Sequence, residues 1–146
     1  MMNLKVKIKQ LDTNLELPRY AYAGDAAMDL RASIDVRLEP GQRACIPCGI
    51  CIEVPKGFAA LILPRSGLAL KHGISVVNAP GLIDSNYRGE IKAILLNTDN
   101  EHSFDISVGD RIAQLMIIEV PKIEFEVVDE LSESCRSGAG FGSSGV

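Results

Sequence analysis

The sequence predicts an all-β sandwich or barrel of short strands, followed by a glycine-rich tail. Apolar or alternating segments recur about every ten residues and are separated by turns of Pro, Gly, Asn and Asp, which is typical of that fold class. The sequence contains no sustained helical period. With 146 residues, of which 47% are hydrophobic, the chain corresponds to one domain with a full core.

The N-terminal half alternates predicted strands with turns. Leu4–Lys9 places apolar and basic residues at period two, which indicates a half-exposed strand. Ile34–Leu38 and Arg43–Val54 flank a Pro-Gly turn, and Phe58–Leu63 is an apolar run that we expect to be buried on both faces. Leu68–His72 has room for one helical turn before a glycine ends it.

The C-terminal half is organised around Asn78–Glu90, a polar, turn-rich stretch between two apolar runs. Ile74–Val77 and Ile91–Leu96 are predicted strands, and the stretch between them is predicted to be the loop of a hairpin. Hairpin loops usually have about two to five residues, so the excess length indicates a function. Arg111–Ile118 is a further predicted strand, and Ile123–Val128 alternates again.

Charge and hydropathy exclude some classes of partner. A net charge of −4 and a pI near 5.2 argue against polymeric nucleic acid as a partner, although a few local cations can still hold a small anion. No apolar run approaches the roughly 20 residues of a membrane span. Met1–Val6 lacks the apolar core of a secretion signal. We therefore expect a cytoplasmic protein without a membrane partner.

Three of the four cysteines have the C-x2-C-x2-C spacing of iron–sulfur proteins. Cys45, Cys48 and Cys51 nevertheless lie in a predicted strand, where a spacing of three sends successive side chains to opposite faces. A metal site would have to break that strand, so the sequence favours buried or half-buried free thiols. Cys135 stands alone near the C-terminus.

Several polar groups could hold a small anionic molecule. The Asn78–Glu90 loop combines a carboxylate, an aromatic ring, a cation and an amide. Pro64–Leu68 and Arg136–Gly145 place arginine and serine beside glycine, as phosphate sites do, although an ordinary turn and a loose tail are the alternatives. Asp29 could hold Mg2+ directly or through water, or simply pair with Arg31.

Five motifs stand in order along the chain, namely Ala23–Ala32, Pro64–Leu68, Asn78–Glu90, Gly109–Gln114 and Arg136–Gly145. Their residues and their order resemble those of the all-β, homotrimeric dUTP diphosphatases, the dUTPases. The motifs are spread over nearly the whole chain, from Ala23 to Gly145. The sequence departs from the family pattern at Ala27, Ser137 and Ala139, where the family often has glycine.

The resemblance implies a distorted jelly roll or β-barrel over residues 1–131 and a mobile lid over residues 132–146. It implies hydrolysis of dUTP to dUMP and diphosphate, by attack of water on the α-phosphorus with Mg2+ bound across the triphosphate. This reaction keeps uracil out of DNA and supplies dUMP for dTTP synthesis. The resemblance also implies a homotrimer whose active sites are shared between subunits.

The resemblance assigns the nucleoside to the long hairpin. Asp84 would activate the water, because a carboxylate within hydrogen-bond reach of water is the simplest general base. Tyr87 would lie beneath the deoxyribose and leave no room for a 2′-hydroxyl. Asn78, with backbone groups at Gly81 and Ile83, would bind the uracil edge and reject cytosine, whose donors and acceptors are reversed.

The resemblance assigns the phosphates and the metal to the other motifs. Asp29 would hold Mg2+ through water. The implied phosphate contacts in the body of the protein are Arg65, Ser66, Gly67 and Gln114. In the tail, Phe141 would stack on the base and Arg136 would contact the terminal phosphate, with Gly142 and Ser143 beside it. This tail would come from a different subunit than the hairpin.

Two other functions remain open. A dCTP deaminase of the same fold would have a similar strand pattern, although the hairpin and tail motifs favour the diphosphatase. A non-catalytic module could keep nucleotide affinity for signalling, although the presence of Asp84 argues against it.

Overall fold

The computed structural model describes residues 3–135 and 137–140. This part of the chain contains ten strands and one short helix. In chain order the elements are β1 (Lys7–Gln10), β2 (Met28–Arg31), β3 (Val36–Leu38), β4 (Arg43–Glu53), β5 (Phe58–Leu63), α1 (Ser66–His72), β6 (Ile74–Val76), β7 (Gly81–Ile83), β8 (Glu90–Asn97), β9 (Phe104–Ile106) and β10 (Arg111–Glu119). The predicted all-β class is confirmed.

The strands form two four-stranded sheets and a two-stranded ribbon. The first sheet has the order β1-β4-β8-β6, the second has the order β2-β10-β5-β7, and β3 pairs with β9. Every pair is antiparallel. Side chains from both sheets meet in one core of Ile, Leu, Val and Ala. The polar turns therefore lie around a single apolar centre.

Strands β4 and β8 form the middle of the first sheet. In β8 the buried residues alternate with more exposed ones, so one face packs on the core. Strand β4 shifts its register between Pro47 and Cys51. Gly49 lies inside this bulge with a φ of +70°, a backbone conformation that glycine adopts without a steric penalty.

Helix α1 is longer than the predicted single turn, because it begins at Ser66. It ends at Gly73, which has a φ of 64° and donates its backbone N–H to Ala69 and Leu68 carbonyls, a common way to close a helix.

Within the described residues, no helix combines the length and the apolar composition that crossing a membrane requires.

The strand predictions differ from the structure at β2, at β9 and at Ile123–Val128. Strands β2 and β9 were not predicted, because each has only three or four residues and carries an aspartate in its middle. The alternating segment Ile123–Val128 is not a strand in the single chain. Its apolar side chains are exposed there, Phe125 by 87% and Val127 by 95%. A period of two buries apolar residues only when a sheet edge is available.

The cysteines are free thiols in three environments. Cys48 is buried, and burial raises the pKa of its thiol to about 12. Cys51 is half-buried. The expectation of a buried or half-buried thiol was wrong for Cys45, which is exposed because it pairs with Ile94 on the outer face of the first sheet. Cys135 is exposed as well.

Candidate active site

The segment between residues 77 and 90 connects the two sheets. Strand β6 pairs with β8, as the predicted hairpin requires. The segment is not a simple loop, however, because its residues Gly81–Ile83 form β7 and pair with β5 of the second sheet. Three residues are too few for a strand to be recognised by periodicity. This crossing fixes both ends of the long segment and opens a cavity beside it.

We call this space the hairpin cavity. It has a volume of about 270 Å³ and is lined by Cys45, Ile62, Asn78, Gly81, Leu82, Ile83, Asp84, Tyr87, Glu90, Ile91, Lys92 and Ile94. The five hairpin residues to which the resemblance assigns the nucleoside are all among them. Two carboxylates and one ammonium group give the lining a formal charge of −1, which suits an uncharged base and sugar better than a triphosphate.

Hydrogen bonds within the segment fix the tip of the hairpin. The backbone N–H of Tyr87 donates to the Asp84 carbonyl at 3.1 Å, and the Tyr87 hydroxyl donates to the Glu90 carbonyl at 3.0 Å. Arg88 Nη1 donates to the carbonyls of Ser85 and Tyr87 at 2.7 and 2.9 Å. The Arg88 guanidinium is therefore used inside the loop, while Asp84 stays exposed.

Gly81 leaves space for the amide of Asn78. A Cβ at position 81 would lie 3.2 Å from Ile62 Cβ and 3.4 Å from Asn78 Nδ2, so a side chain there would push the amide away. Asn78 is exposed. Among the described residues, none hydrogen-bonds its side-chain amide. The amide can thus offer both a donor and an acceptor to a ligand in the cavity.

A second space, the arginine cavity, lies beside β2 and β10. It has a volume of about 420 Å³ and is lined by Arg19, Ala21, Tyr22, Asp25, Ala26, Ala27, Asp29, Leu63, Arg65, Arg111, Gln114 and Met116. Three arginines and two aspartates give it a formal charge of +1. Forked guanidinium donors match phosphate oxygens. The cavity therefore has the charge and the donors for a polyphosphate.

Strand register brings these side chains together. Gln114 of β10 pairs with Asp29 of β2 on one side and with Leu63 of β5 on the other. The chain reaches Arg65 two residues after Leu63. Arg65 Nε donates to Asp29 Oδ1 at 3.0 Å, and its Nη1 donates to the Arg111 carbonyl at 3.1 Å. Pairing of Asp29 with Arg31 was the wrong alternative, because Arg31 bonds Glu16 and Gly109.

The carboxylate of Asp29 lies between two guanidinium groups. Its second oxygen, Oδ2, accepts a longer bond from Arg111 Nη1 at 3.4 Å. Each carboxylate oxygen keeps a further lone pair, so Asp29 can still accept a hydrogen bond from the water of a hydrated cation. Within the described residues, no three His, Cys, Asp or Glu side chains cluster as a metal site would require. These donors fit a metal held through water.

The two cavities have no lining residue in common. Ile62 lines the hairpin cavity, and its neighbour Leu63 lines the arginine cavity. Successive side chains of a strand point to opposite faces, so the cavities lie on different sides of β5. Within one chain, Asp84 and the three arginines of the arginine cavity therefore line different cavities. Ser66 and Gly67 are exposed at the start of α1 and line neither cavity.

The glycine-rich tail contributes four of the residues that the resemblance assigns to the site. Arg136, Phe141, Gly142 and Ser143 lie outside the described residues. Ser137 is described and has a φ of 46°, a backbone region that residues other than glycine rarely adopt. This is one of the positions at which the family often has glycine.

The sequence interpretation missed residues in both cavities. Arg111 and Asp25 lie within motifs that had already been recognised, but nothing in the local sequence showed that they face a cavity. Glu90 and Lys92 share a strand face with Ile94, and the alternation of β8 could have revealed them. Arg19 has no such signal, because its surroundings have no clear period.

Comparisons with known proteins agree on one family. The family model described as dUTPase matches residues 13–145. A deoxyuridine 5′-triphosphate nucleotidohydrolase of Thermobifida fusca is 55% identical over 142 residues, 97% of this chain and 79% of that protein. Another, of Corynebacterium glutamicum, is 49% identical over 140 residues, 96% of this chain and 94% of that protein.

Solved structures give the same result. The dUTPase of Staphylococcus bacteriophage 80alpha with dUPNHPP has a TM-score of 0.89 at 30% identity, over 99% of this chain and 100% of that chain. A mutant dUTPase from phage phi11 of S. aureus, described for its coordination of a structural Mg(II) ion, has a TM-score of 0.82 over 89% of this chain and 100% of that one. At 22% sequence identity, this structure shows a shared fold only.

Proposed function

The chain belongs to the dUTPase family, and from this premise we propose that it hydrolyses dUTP to dUMP and diphosphate. The observation that carries the proposal is the hairpin cavity, in which an exposed carboxylate, an aromatic ring and an unpaired amide line one space. A uracil base, a deoxyribose and an attacking water need those three groups. The reaction would keep uracil out of DNA and supply dUMP for dTTP synthesis.

In this proposal the hairpin recognises the nucleoside. The Asn78 amide binds the uracil edge, together with backbone groups at Gly81 and Ile83. Cytosine reverses the donor and acceptor positions, and a mismatch of that kind leaves buried polar groups unpaired. Tyr87 lies beneath the sugar and excludes a 2′-hydroxyl. The same cavity therefore selects the base and the sugar.

We assign Asp84 the role of general base. Its side chain is exposed in the cavity, and no described residue hydrogen-bonds its carboxylate, so both oxygens are available to water. Proton removal by a positioned carboxylate is worth about 10²- to 10⁴-fold. Lys92 adds a cation to the same lining, where it can attract the phosphate nearest to the sugar.

The arginine cavity takes the rest of the triphosphate. Arg65 and Gln114 contact phosphate oxygens, and Ser66 and Gly67 add donors at the start of α1. Mg2+, when bound, neutralises phosphate charge, and Asp29 holds its hydration shell. Positioning and charge stabilisation make up most of phosphoryl-transfer catalysis. Bringing this cavity to Asp84 is thus the main requirement that one chain leaves unmet.

A homotrimer with shared sites meets that requirement. In the single chain, Asp84 and Arg65 line different cavities, so a complete site needs the hairpin of one subunit beside the arginine cavity of another. The exposed apolar side chains of Ile123–Val128 also need a covering surface, since contiguous apolar patches usually mark protein contacts. A neighbouring subunit provides both.

Residues 132–146 form the lid of the β domain in this proposal, and residues 1–131 form its body. Phe141 stacks on the base, and Arg136, Gly142 and Ser143 close over the phosphates of a site on another subunit. Closing a lid excludes water from the reaction. We also propose a cytoplasmic location, because the cysteines are free thiols and the cytosol keeps thiols reduced.

The decisive assay measures diphosphate release in the presence of Mg2+ from dUTP, dTTP, dCTP and UTP. We expect release from dUTP alone. Ammonia release from dCTP would instead identify a deaminase. Binding of a non-hydrolysable dUTP analogue without turnover of dUTP would identify a nucleotide-binding module.

A further inference from the structure

Gly89 lies against the hydroxyl end of the Tyr87 ring. We propose that Gly89 is a positioning residue that sets how far this ring stands into the hairpin cavity. The inference rests on the proposed function, because it concerns the fit of the deoxyribose. It adds a residue to which neither the motifs nor the cavity lining assigns a role.

The contact between the glycine and the ring is close. A Cβ built on Gly89 would lie 2.6 Å from Tyr87 Cζ and 3.0 Å from Tyr87 Cε2, and real Cβ atoms do not approach ring carbons at the shorter of these distances. Gly89 does not have a positive φ, so the backbone would accept alanine at this position. The ring, rather than the backbone conformation, therefore requires glycine.

One hydrogen bond of the Tyr87 hydroxyl holds the ring beside Gly89. The Tyr87 hydroxyl reaches past residues 88 and 89 and donates to the Glu90 carbonyl. Tyr87 and Glu90 line the hairpin cavity, whereas Gly89 does not. Tyr87 therefore contacts Gly89 and lines the cavity as well. A methyl group at position 89 would displace the ring and so change its fit to the sugar.

The ring would move more easily than the backbone. Tyr87 is 44% exposed, and one hydrogen bond holds the end of its ring, whereas Arg88 fixes two carbonyls of the tip and β8 begins at Glu90. Displacement of a positioning group by about 1 Å can cost on the order of 100-fold in rate. A glycine that touches no substrate can thus control the fit of the sugar.

The experiment combines Gly89→Ala with changes at Tyr87. We expect Gly89→Ala to lower kcat/KM for dUTP by at least about tenfold and to weaken dUMP binding, measured by calorimetry. Added to Tyr87→Ala, the same change should have less than about a twofold effect, because no ring remains to be displaced. Added to Tyr87→Phe, which keeps the ring but removes the hydroxyl oxygen nearest to a Cβ at position 89, it should have an intermediate effect.

Equal losses in the Tyr87 and Tyr87→Ala backgrounds would overturn the proposal, as would no loss in either. If Gly89→Ala alone fails to fold, folding of the double variant with Tyr87→Ala would support the ring contact, and failure of both would contradict it. The proposed function has a separate test, since wild-type protein that binds dUMP but releases no diphosphate from dUTP would refute that function only.

Discussion

The hairpin cavity and the arginine cavity are built in opposite ways. The hairpin cavity takes most of its polar groups from one continuous segment, and its tip is fixed by bonds between residues up to three apart. The arginine cavity is held by bonds over long separations, 36 residues for Arg65 to Asp29 and 82 for Arg111 to Asp29. Their formal charges, −1 and +1, are opposite as well. In the proposed function, one substrate would therefore meet a locally encoded site for its nucleoside and a tertiary site for its phosphates.

The contrast between the two cavities predicts that turnover and substrate affinity depend on different residues. We expect changes in the hairpin cavity to act on turnover and on base and sugar selection, because it holds Asp84. Changes in the arginine cavity should act on the affinity for triphosphate, because it supplies the phosphate-binding cations while the proposed base lies in the hairpin cavity. Three substitutions test this division, from the largest expected effect to the smallest.

Asp84→Asn should have the largest effect. Loss of a general base should lower kcat by about 10²- to 10⁴-fold, while the affinity for a non-hydrolysable dUTP analogue stays within about threefold. Diphosphate release and calorimetry measure the two quantities. Asp105→Asn, at an exposed carboxylate of β9, is the matched control and should leave both unchanged. Turnover at the wild-type rate would remove Asp84 from the role of base.

Arg65→Ala should weaken binding of the triphosphate by roughly 10- to 100-fold, since hydrogen bonds to charged groups contribute about 1.5–3 kcal/mol each. Binding of deoxyuridine, which has no phosphate, should not change. The control is Arg37→Ala, which removes an exposed guanidinium paired with Glu39 and Asp105 away from both cavities. An equal loss of deoxyuridine binding would show that the two cavities are not separate in function.

Arg111→Gln should have the smallest effect, about two- to fivefold on the affinity for the dUTP analogue. Its bond to Asp29 is longer than that of Arg65, at 3.4 Å against 3.0 Å, and its side chain is more exposed, at 49% against 23%. Titration of the analogue with each variant gives the order. A larger loss for Arg111→Gln than for Arg65→Ala would reverse the proposed hierarchy in the arginine cavity.

The sequence predicted most of the fold and part of the lining of the two cavities. Long apolar runs such as Phe58–Leu63 and Arg111–Ile118 became strands because their patterns are strong. Strand β7 was missed because three residues carry no period. The alternation of Ile123–Val128 suggested a further strand, which these residues do not form in the structure. An alternating pattern indicates that one set of side chains is covered, but it does not indicate whether the same chain or another one covers them.

The site residues divide in the same way. Asn78, Asp84 and Tyr87 could be found in the sequence because they stand within ten residues of each other, in a loop of unusual length. Arg111 could not, since its contact with Asp29 depends on the register of β2 against β10. Register follows from packing of the whole sheet, which local sequence does not contain.

The claim that one chain holds only half-sites is tested most directly by mixing two variants that are each nearly inactive at dUTP concentrations far below KM, because one lacks the base and the other binds the triphosphate weakly. Asp84→Asn and Arg65→Ala chains should be unfolded together, refolded in equal amounts and assayed for diphosphate release from dUTP. In a random trimer whose sites combine Asp84 of one subunit with Arg65 of another, about a quarter of the sites contain neither change. We therefore predict about a quarter of wild-type activity, while a chain carrying both changes, mixed with inactive Asp84→Asn chains, should stay inactive. A mixture no more active than its separate components would contradict the shared site.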